Sequence, residues 1–239
     1  MEILGIAVLT LLASMVGTLT GFGTSTIMVP VLLFFFGPLE TLLFVGVIHL
    51  FGDVWKMLLF RKGADWRLIA LFGIPGVLFS YLGSTATLSL PPQLLSRALG
   101  VFLIVYVVFL LAKKGFRIPK NRVTALVGGA MSGFFAGIFG IGGAVRGAFL
   151  AAFKLKKAVY LFTAGTIAFF IDVTRIGNYL LGGATIESVP SYSLLLFIPI
   201  SLLGALAAKR ILRHVPEKKF AYLVAAFLLV VGIKLLLLP

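Results

Sequence analysis

Asp53 and Asp172 open the same short pattern, Asp53-Val54-Trp55-Lys56 and Asp172-Val173-Thr174-Arg175, each inside a long apolar run. A base three residues after an acid shares its face of a helix and lies close enough to pair with it. Ionisable side chains at membrane depth are costly, so they have a partner or a function. His49 lies four residues before Asp53, on the same face, and is the only histidine inside an apolar run. Intramembrane Asp and His carry protons in pumps and transporters. His49, Asp53, Lys56 and Asp172 are therefore readable as proton-coupling groups. The other reading is that each Asp-Val-x-base pattern is a buried ion pair that locks its helix. The residue corresponding to His49 in the second pattern is Ala168.

Two glycine-rich stretches offer a second kind of chemistry. Gly21-Phe22-Gly23-Thr24-Ser25 and Gly140-Ile141-Gly142-Gly143 each interrupt an apolar run near its middle. A helix broken inside a membrane leaves amide N–H groups that need protein, water or a ligand. The N-terminus of the next helix carries partial positive charge and binds anions. Glycine lets an anion approach the backbone, and the Thr24 and Ser25 hydroxyls add donors. The alternative is that these glycines serve close helix packing. Arg146 follows the second stretch by three residues, where the first has Ile27. With Arg175 it is a candidate for a charge-assisted contact to an anion; its other role would be an ion pair with an embedded aspartate.

Other chemistries lack their residues. There is no cysteine, hence no disulfide, thiolate metal site or haem attachment. No phosphate-binding loop, HExxH pattern or nucleophile-plus-base arrangement occurs. No metal, cofactor or enzymatic activity is expected.

The elements that carry these residues are apolar throughout. The chain is 61% hydrophobic and 12% charged, with a mean hydropathy of +1.17; a water-soluble domain could not hide that much apolar surface. Eight apolar segments are predicted, at about 3–36, 39–60, 66–88, 93–112, 123–153, 157–181, 190–212 and 219–238. Most have roughly the 20 residues that a membrane span requires. No basic stretch precedes the first segment, so no cleaved leader is expected. The net charge of +14 comes from clusters between segments, the pattern of cytoplasmic loops and not of a nucleic-acid face.

The halves repeat. An offset of 119 residues carries Gly21 to Gly140, Gly23 to Gly142, Gly46 to Gly165, Asp53-Val54 to Asp172-Val173 and Lys56 to Arg175. After an insertion near Gly182–Ser188, an offset of 124 carries Ile74-Pro75 to Ile198-Pro199 and Pro92 to Pro216. The repeats are 1–118 and 119–239 within one membrane domain.

Loop charge sets the topology. Basic clusters stand at Arg61, Lys62 and Arg67, at Lys113, Lys114, Arg117, Lys120 and Arg122, at Lys154, Lys156 and Lys157, and at Lys209, Arg210, Arg213, Lys218 and Lys219. Connections near Glu40, Ser89–Pro92 and Gly182–Ser188 have none. Both ends of 123–153 are then cytoplasmic, which makes it a re-entrant hairpin with Gly140–Gly143 at its tip. Segment 3–36 enters likewise from outside. Each half is a broken hairpin plus three transmembrane helices, so the predicted fold is an all-α polytopic membrane protein of two inverted repeats. Both termini fall on the outer side. The competing arrangement, eight plain crossings with parallel repeats, would put the 113–122 and 154–157 clusters on opposite faces.

Taken in order, three motifs resemble the TauE/SafE sulfite exporter family. They are Gly17-x-x-x-Gly21-Phe22-Gly23 leading to Pro30, the RKGADW stretch at Arg61–Trp66, and GxxxGIFGIGG at Gly133–Gly143. The resemblance spans nearly the whole chain and implies a cell-membrane carrier for sulfite, sulfonates or related organosulfur anions, working outward and driven by protons. By position, the family's glycine-rich turns fall on Gly21, Gly23, Gly140, Gly142 and Gly143. Thr24-Ser25 and Ala144-Val145-Arg146-Gly147 depart from the family's usual turns, which sets Arg146 apart. The expected function is a secondary transporter with alternating access around a midplane site. Its partners would be a small anion, protons and the bilayer. The alternatives are an anion channel and, less supported for want of a nucleophile, an intramembrane enzyme. Oligomeric state has no signature in the sequence.

Overall fold

Backbone amides buried in hydrocarbon can bond only to one another, so a chain this apolar folds into helices. The computed structural model describes residues 2–61, 63–112, 118–211 and 217–237. Lys62, Lys113, Lys114, Arg117, Arg213, His214 and Pro216 lie outside them, as do the side chains of Lys218 and Lys219. Among the described residues every regular element is helical: α1 (Ile3–Thr20), α2 (Ser25–Leu32), α3 (Pro38–Leu59), α4 (Trp66–Ser89), α5 (Pro92–Ala112), α6 (Arg122–Phe139), α7 (Gly143–Leu150), α8 (Lys157–Leu181), α9 (Leu194–Ile211) and α10 (Glu217–Leu237). Six of these are long and apolar enough to cross a membrane, namely α1, α3, α4, α5, α6 and α8.

The segments predicted at 3–36 and 123–153 each divide into an 18-residue helix and an eight-residue one. The division falls at the glycines. Gly21 and Gly140 end α1 and α6 with φ of 76° and 70°, the left-handed cap that glycine adopts without strain. At about 1.5 Å per residue, α2 and α7 reach only about 12 Å, too short to span. The other boundaries fall close to the predicted ones. The largest shift is at α9, where a 3-10 turn at Ser191–Ser193, closed by Ser193 on the Pro190 carbonyl, delays the helix.

Polarity is distributed inside out. Leu4, Leu195 and Val230 are exposed, while Thr10, Ser80, Ser132 and Ser201 are fully buried. Only a lipid environment makes that arrangement favourable, because exposed leucine costs nothing there and polar groups must satisfy one another internally. The protein is a multi-pass membrane protein.

Small residues let the helices approach. Gly129, Gly133 and Gly137 of α6 recur every four residues and lie directly on the α4 backbone at Phe72, Gly76 and Ser80. A Cβ at Gly133 would collide with the Gly76 carbonyl. The α4–α6 contact has a counterpart in α1–α9, where Gly204 rests on Leu11 and Ser14. Gly133→Leu is expected to destabilise the protein by about 1–3 kcal/mol or more. A lowered thermal unfolding midpoint in detergent would register it, and an unchanged midpoint would refute this packing.

Two helix pairs, α3 with α8 and α5 with α10, meet and run antiparallel. Along α3 and α8, Gly46 faces Arg175 and Ile176, whereas Gly165 faces Asp53 and Lys56. Along α5 and α10, Gly100 faces Leu236 and Ile104 faces Gly232. The ends of the bundle differ in charge. At one end the Glu40 carboxylate accepts hydrogen bonds from the amides of Glu187 (2.9 Å) and Ser188 (2.6 Å) and the Ser188 hydroxyl (2.7 Å), and Gly182 abuts Leu88. At the other, Lys209 lies over the Phe60 ring and Gly63 neighbours Val159, which a Cβ there would just contact. The connections that lack bases thus share one end, and basic connections share the other.

Candidate functional site

The two glycine-rich turns, far apart in sequence, come together in space. Gly143 lies so close to the Phe22 carbonyl that a Cβ there would collide with it. Each turn also folds back on its own long helix. Gly21 and Gly23 donate to the Gly17 carbonyl at 3.0 and 3.3 Å, and Ser132 donates to the Gly142 carbonyl at 3.1 Å. The short helices α2 and α7 start at this junction, with N-caps Thr24 and Gly142. Their first amides have no acceptor within the helix. Thr24 donates weakly to Ser14 at 3.5 Å, while the Ser25 hydroxyl is buried without a partner.

Behind the turns, α3 and α8 bring the embedded charges into one network. Lys56 Nζ donates to Asp53 Oδ1 at 2.7 Å, and Arg175 Nε to Asp172 Oδ1 at 2.7 Å. Both i,i+3 pairs are as the spacing predicts. His49 lies beside Asp53 and also reaches the other helix. Its Nδ1 is 3.4 Å from Asp53 Oδ2 on its own helix but 2.5 Å from Asp172 Oδ2 on α8. Antiparallel packing of α3 on α8 sets these positions at the same level, so the two acid–base patterns form one constellation. All five side chains are buried.

The network touches both turns. A Cβ at Gly23 would collide with His49 Nε2, so the imidazole points that nitrogen edge-on at the turn. One at Gly140 would lie 3.5 Å from Arg175 Nη1, which also reaches the Leu42 carbonyl at 3.4 Å. A chain of contacts therefore runs from Gly23 through His49, Asp172 and Arg175 to Gly140. His49 Nε2 and Arg175 Nη2 are buried without hydrogen-bond partners.

His49, Asp53 and Asp172 offer three ligand atoms within 4.8 Å of one another. Each carboxylate already holds a fixed cation, however, and a metal ion would face Lys56 and Arg175 at close range. That charge arrangement disfavours a metal ion there.

Arg146 on α7 stands apart. It is 2% exposed, and its Nε and Nη2 have no hydrogen-bond partner. Neither embedded aspartate pairs with it among the described residues. The deeply embedded charges of that set are thus Asp53 and Asp172 against Lys56, Arg146 and Arg175, one positive charge in excess.

A cavity of about 900 Å³ leads to the turns from the basic end. Thr20, Phe22, Ala144 and Gly147 line it beside the turns, and Lys120 and Lys154 at its mouth. Tyr160 of α8 lines it too, with its ring against Gly21 and its hydroxyl beside Gly147, and interacts electrostatically with Arg146. No sequence signal marked Tyr160: it is one aromatic in an apolar run, and its counterpart is Thr41. At the opposite end, the hollow between Leu33, Pro38, Leu95 and Phe139 holds only about 10 Å³.

A family model described as Sulfite exporter TauE/SafE matches residues 6–235. No curated protein matches the chain.

Proposed function

The chain belongs to the sulfite exporter TauE/SafE family, and on that premise we propose that it is a secondary transporter whose anion binds where the two glycine-rich turns meet. The observation that carries this reading is Arg146. A buried guanidinium without a counterion is unfavourable in a membrane interior unless a mobile anion completes it. The adjoining α2 and α7 N-termini and the Ser25 hydroxyl supply further donors for an oxyanion. Gly21, Gly23, Thr24, Gly140, Gly142 and Gly143 would form the backbone of the site, with Arg175 behind the second turn. Sulfite or a related sulfur oxyanion is the substrate class the family implies.

Uptake of labelled sulfite into vesicles containing the purified protein tests the reading. A carrier saturates and, given a driving gradient, accumulates sulfite above the external concentration. A flux that never saturates and never concentrates the ion would instead make the protein a channel.

Proton coupling is the role we assign to the charge network. His49 touches both the network and the first turn, so a proton on its ring would add charge beside the bound anion. Asp53→Asn is expected to abolish flux driven by a pH gradient while sparing sulfite counterflow. Gradient-driven flux that survives in the variant removes the network from the mechanism.

The antiparallel packing of α3 on α8 and of α5 on α10 supports inverted repeats. The segregated basic end supports a cytoplasmic placement of that end, with both termini outside. The cavity then opens inward, and rocking of one bundle against the other would close it and open the opposite side. The chain has no cysteine of its own, so introduced thiols report topology directly. Ser188→Cys is expected to react with impermeant maleimide from outside intact cells, and Lys120→Cys only after permeabilisation. The reverse pattern would invert the assignment.

A further inference from the structure

We infer that the groove between α5, α6 and α7 holds one anionic phospholipid of the cytoplasmic leaflet, seated against the wall of the transport cavity. The groove has a volume of about 390 Å³, the size of one acyl chain. Its walls are apolar, formed by Phe102, Val105, Met131, Phe135, Val145 and Phe149. Val105 and Met131 are 60% and 41% exposed, so the groove opens sideways into the hydrocarbon. The helices close through Phe102, whose ring packs at a tilt against Phe135 and Phe139.

Two features select the occupant. The groove shares Tyr106, Phe109, Ile118, Pro119 and Ala148 with the transport cavity, so an apolar slot and a basic mouth adjoin. Ile118 and Pro119 lead directly to Lys120, and Lys154 stands at the same mouth. Lys154 is also the one described non-glycine residue with positive φ, at 50°. That conformation is uncommon for a non-glycine residue and sets the direction in which the side chain leaves the turn. Among the described residues no acid lines either the groove or the cavity. A water-soluble ion would gain nothing from the apolar walls, and a zwitterionic lipid nothing from a pair of lysines. A negatively charged headgroup on an acyl chain matches both.

This site does not depend on what is transported. Native mass spectrometry of the purified full-length protein, titrated with dioleoylphosphatidylglycerol or dioleoylphosphatidylcholine, tests it. One molecule of the glycerol lipid is expected to be retained, about thirtyfold more tightly than the choline lipid, from about fivefold for each lysine. Lys120→Ala/Lys154→Ala, both at exposed positions, should bring the two lipids to near-equal retention. Met131→Trp should weaken both lipids alike by filling the groove, with the unfolding midpoint of each variant measured alongside. Equal retention of the two lipids by the native protein overturns the inference, as does a preference that survives loss of both lysines. Displacement of the lipid by decanesulfonate, with delivery of that anion into vesicles, would also overturn it by making the groove part of the transport path.

Discussion

Replacing Arg146 with alanine is expected to lower sulfite transport at least about a hundredfold, the loss of one or two charge-assisted hydrogen bonds to an anion. Stability should not fall with it. Arg146 has no protein partner at Nε or Nη2, so its removal relieves a buried, uncompensated charge and should leave the unfolding midpoint unchanged or raised. A residue holding the fold together would behave in the opposite way. Arg146→Lys keeps the charge but loses the planar fork, and should retain part of the activity with weaker discrimination among oxyanions. Transport at the native rate in the alanine variant would remove Arg146 from the site.

Asp172→Asn should have the largest effect on the fold. Its carboxylate accepts from Arg175 at 2.7 Å and meets His49 at 2.5 Å, and neutralising it strands a buried guanidinium. Breaking one side of a buried pair costs about 3–5 kcal/mol, so the variant is expected to unfold many degrees lower and to be inactive. That result alone would not separate a lock from a coupling device. The double substitution Asp172→Leu/Arg175→Met does. Replacing both charges with apolar side chains of similar bulk should restore much of the stability. If the network couples protons, sulfite uptake driven by a pH gradient stays absent in the restored protein. Native gradient-driven uptake in the double variant would make the pair a structural lock and nothing more.

Local patterns were readable from the chain itself. The two Asp-Val-x-base pairs form at the i,i+3 spacing that the sequence displays, and the glycine breaks fall at Gly21 and Gly140 because only glycine caps a helix cheaply in the left-handed region. The expected hairpins differ in proportion: the returning helices are eight residues long, which apolar periodicity cannot measure in a uniformly apolar run. Helical spacing puts His49 on the face of Asp53, which it approaches to 3.4 Å, but not beside Asp172, its shorter contact. That preference depends on the register between α3 and α8, which packing around Gly46 and Gly165 fixes and no single helix encodes. Tyr160 was invisible for a similar reason, since its role comes from Gly21 beneath its ring. Arg146 could be singled out by its type and depth, but its lack of a partner is a property of the assembled bundle.

The network lies where α3 crosses α8, and there one imidazole stands between the carboxylates of two helices. A single histidine can serve both, because His49 reaches Asp53 of α3 and Asp172 of α8. The corresponding position in the second pattern, Ala168, is 1% exposed, so a larger side chain there would have to displace its neighbours. Two acid–base pairs on separate helices share one side chain, and a change at His49 is felt at both.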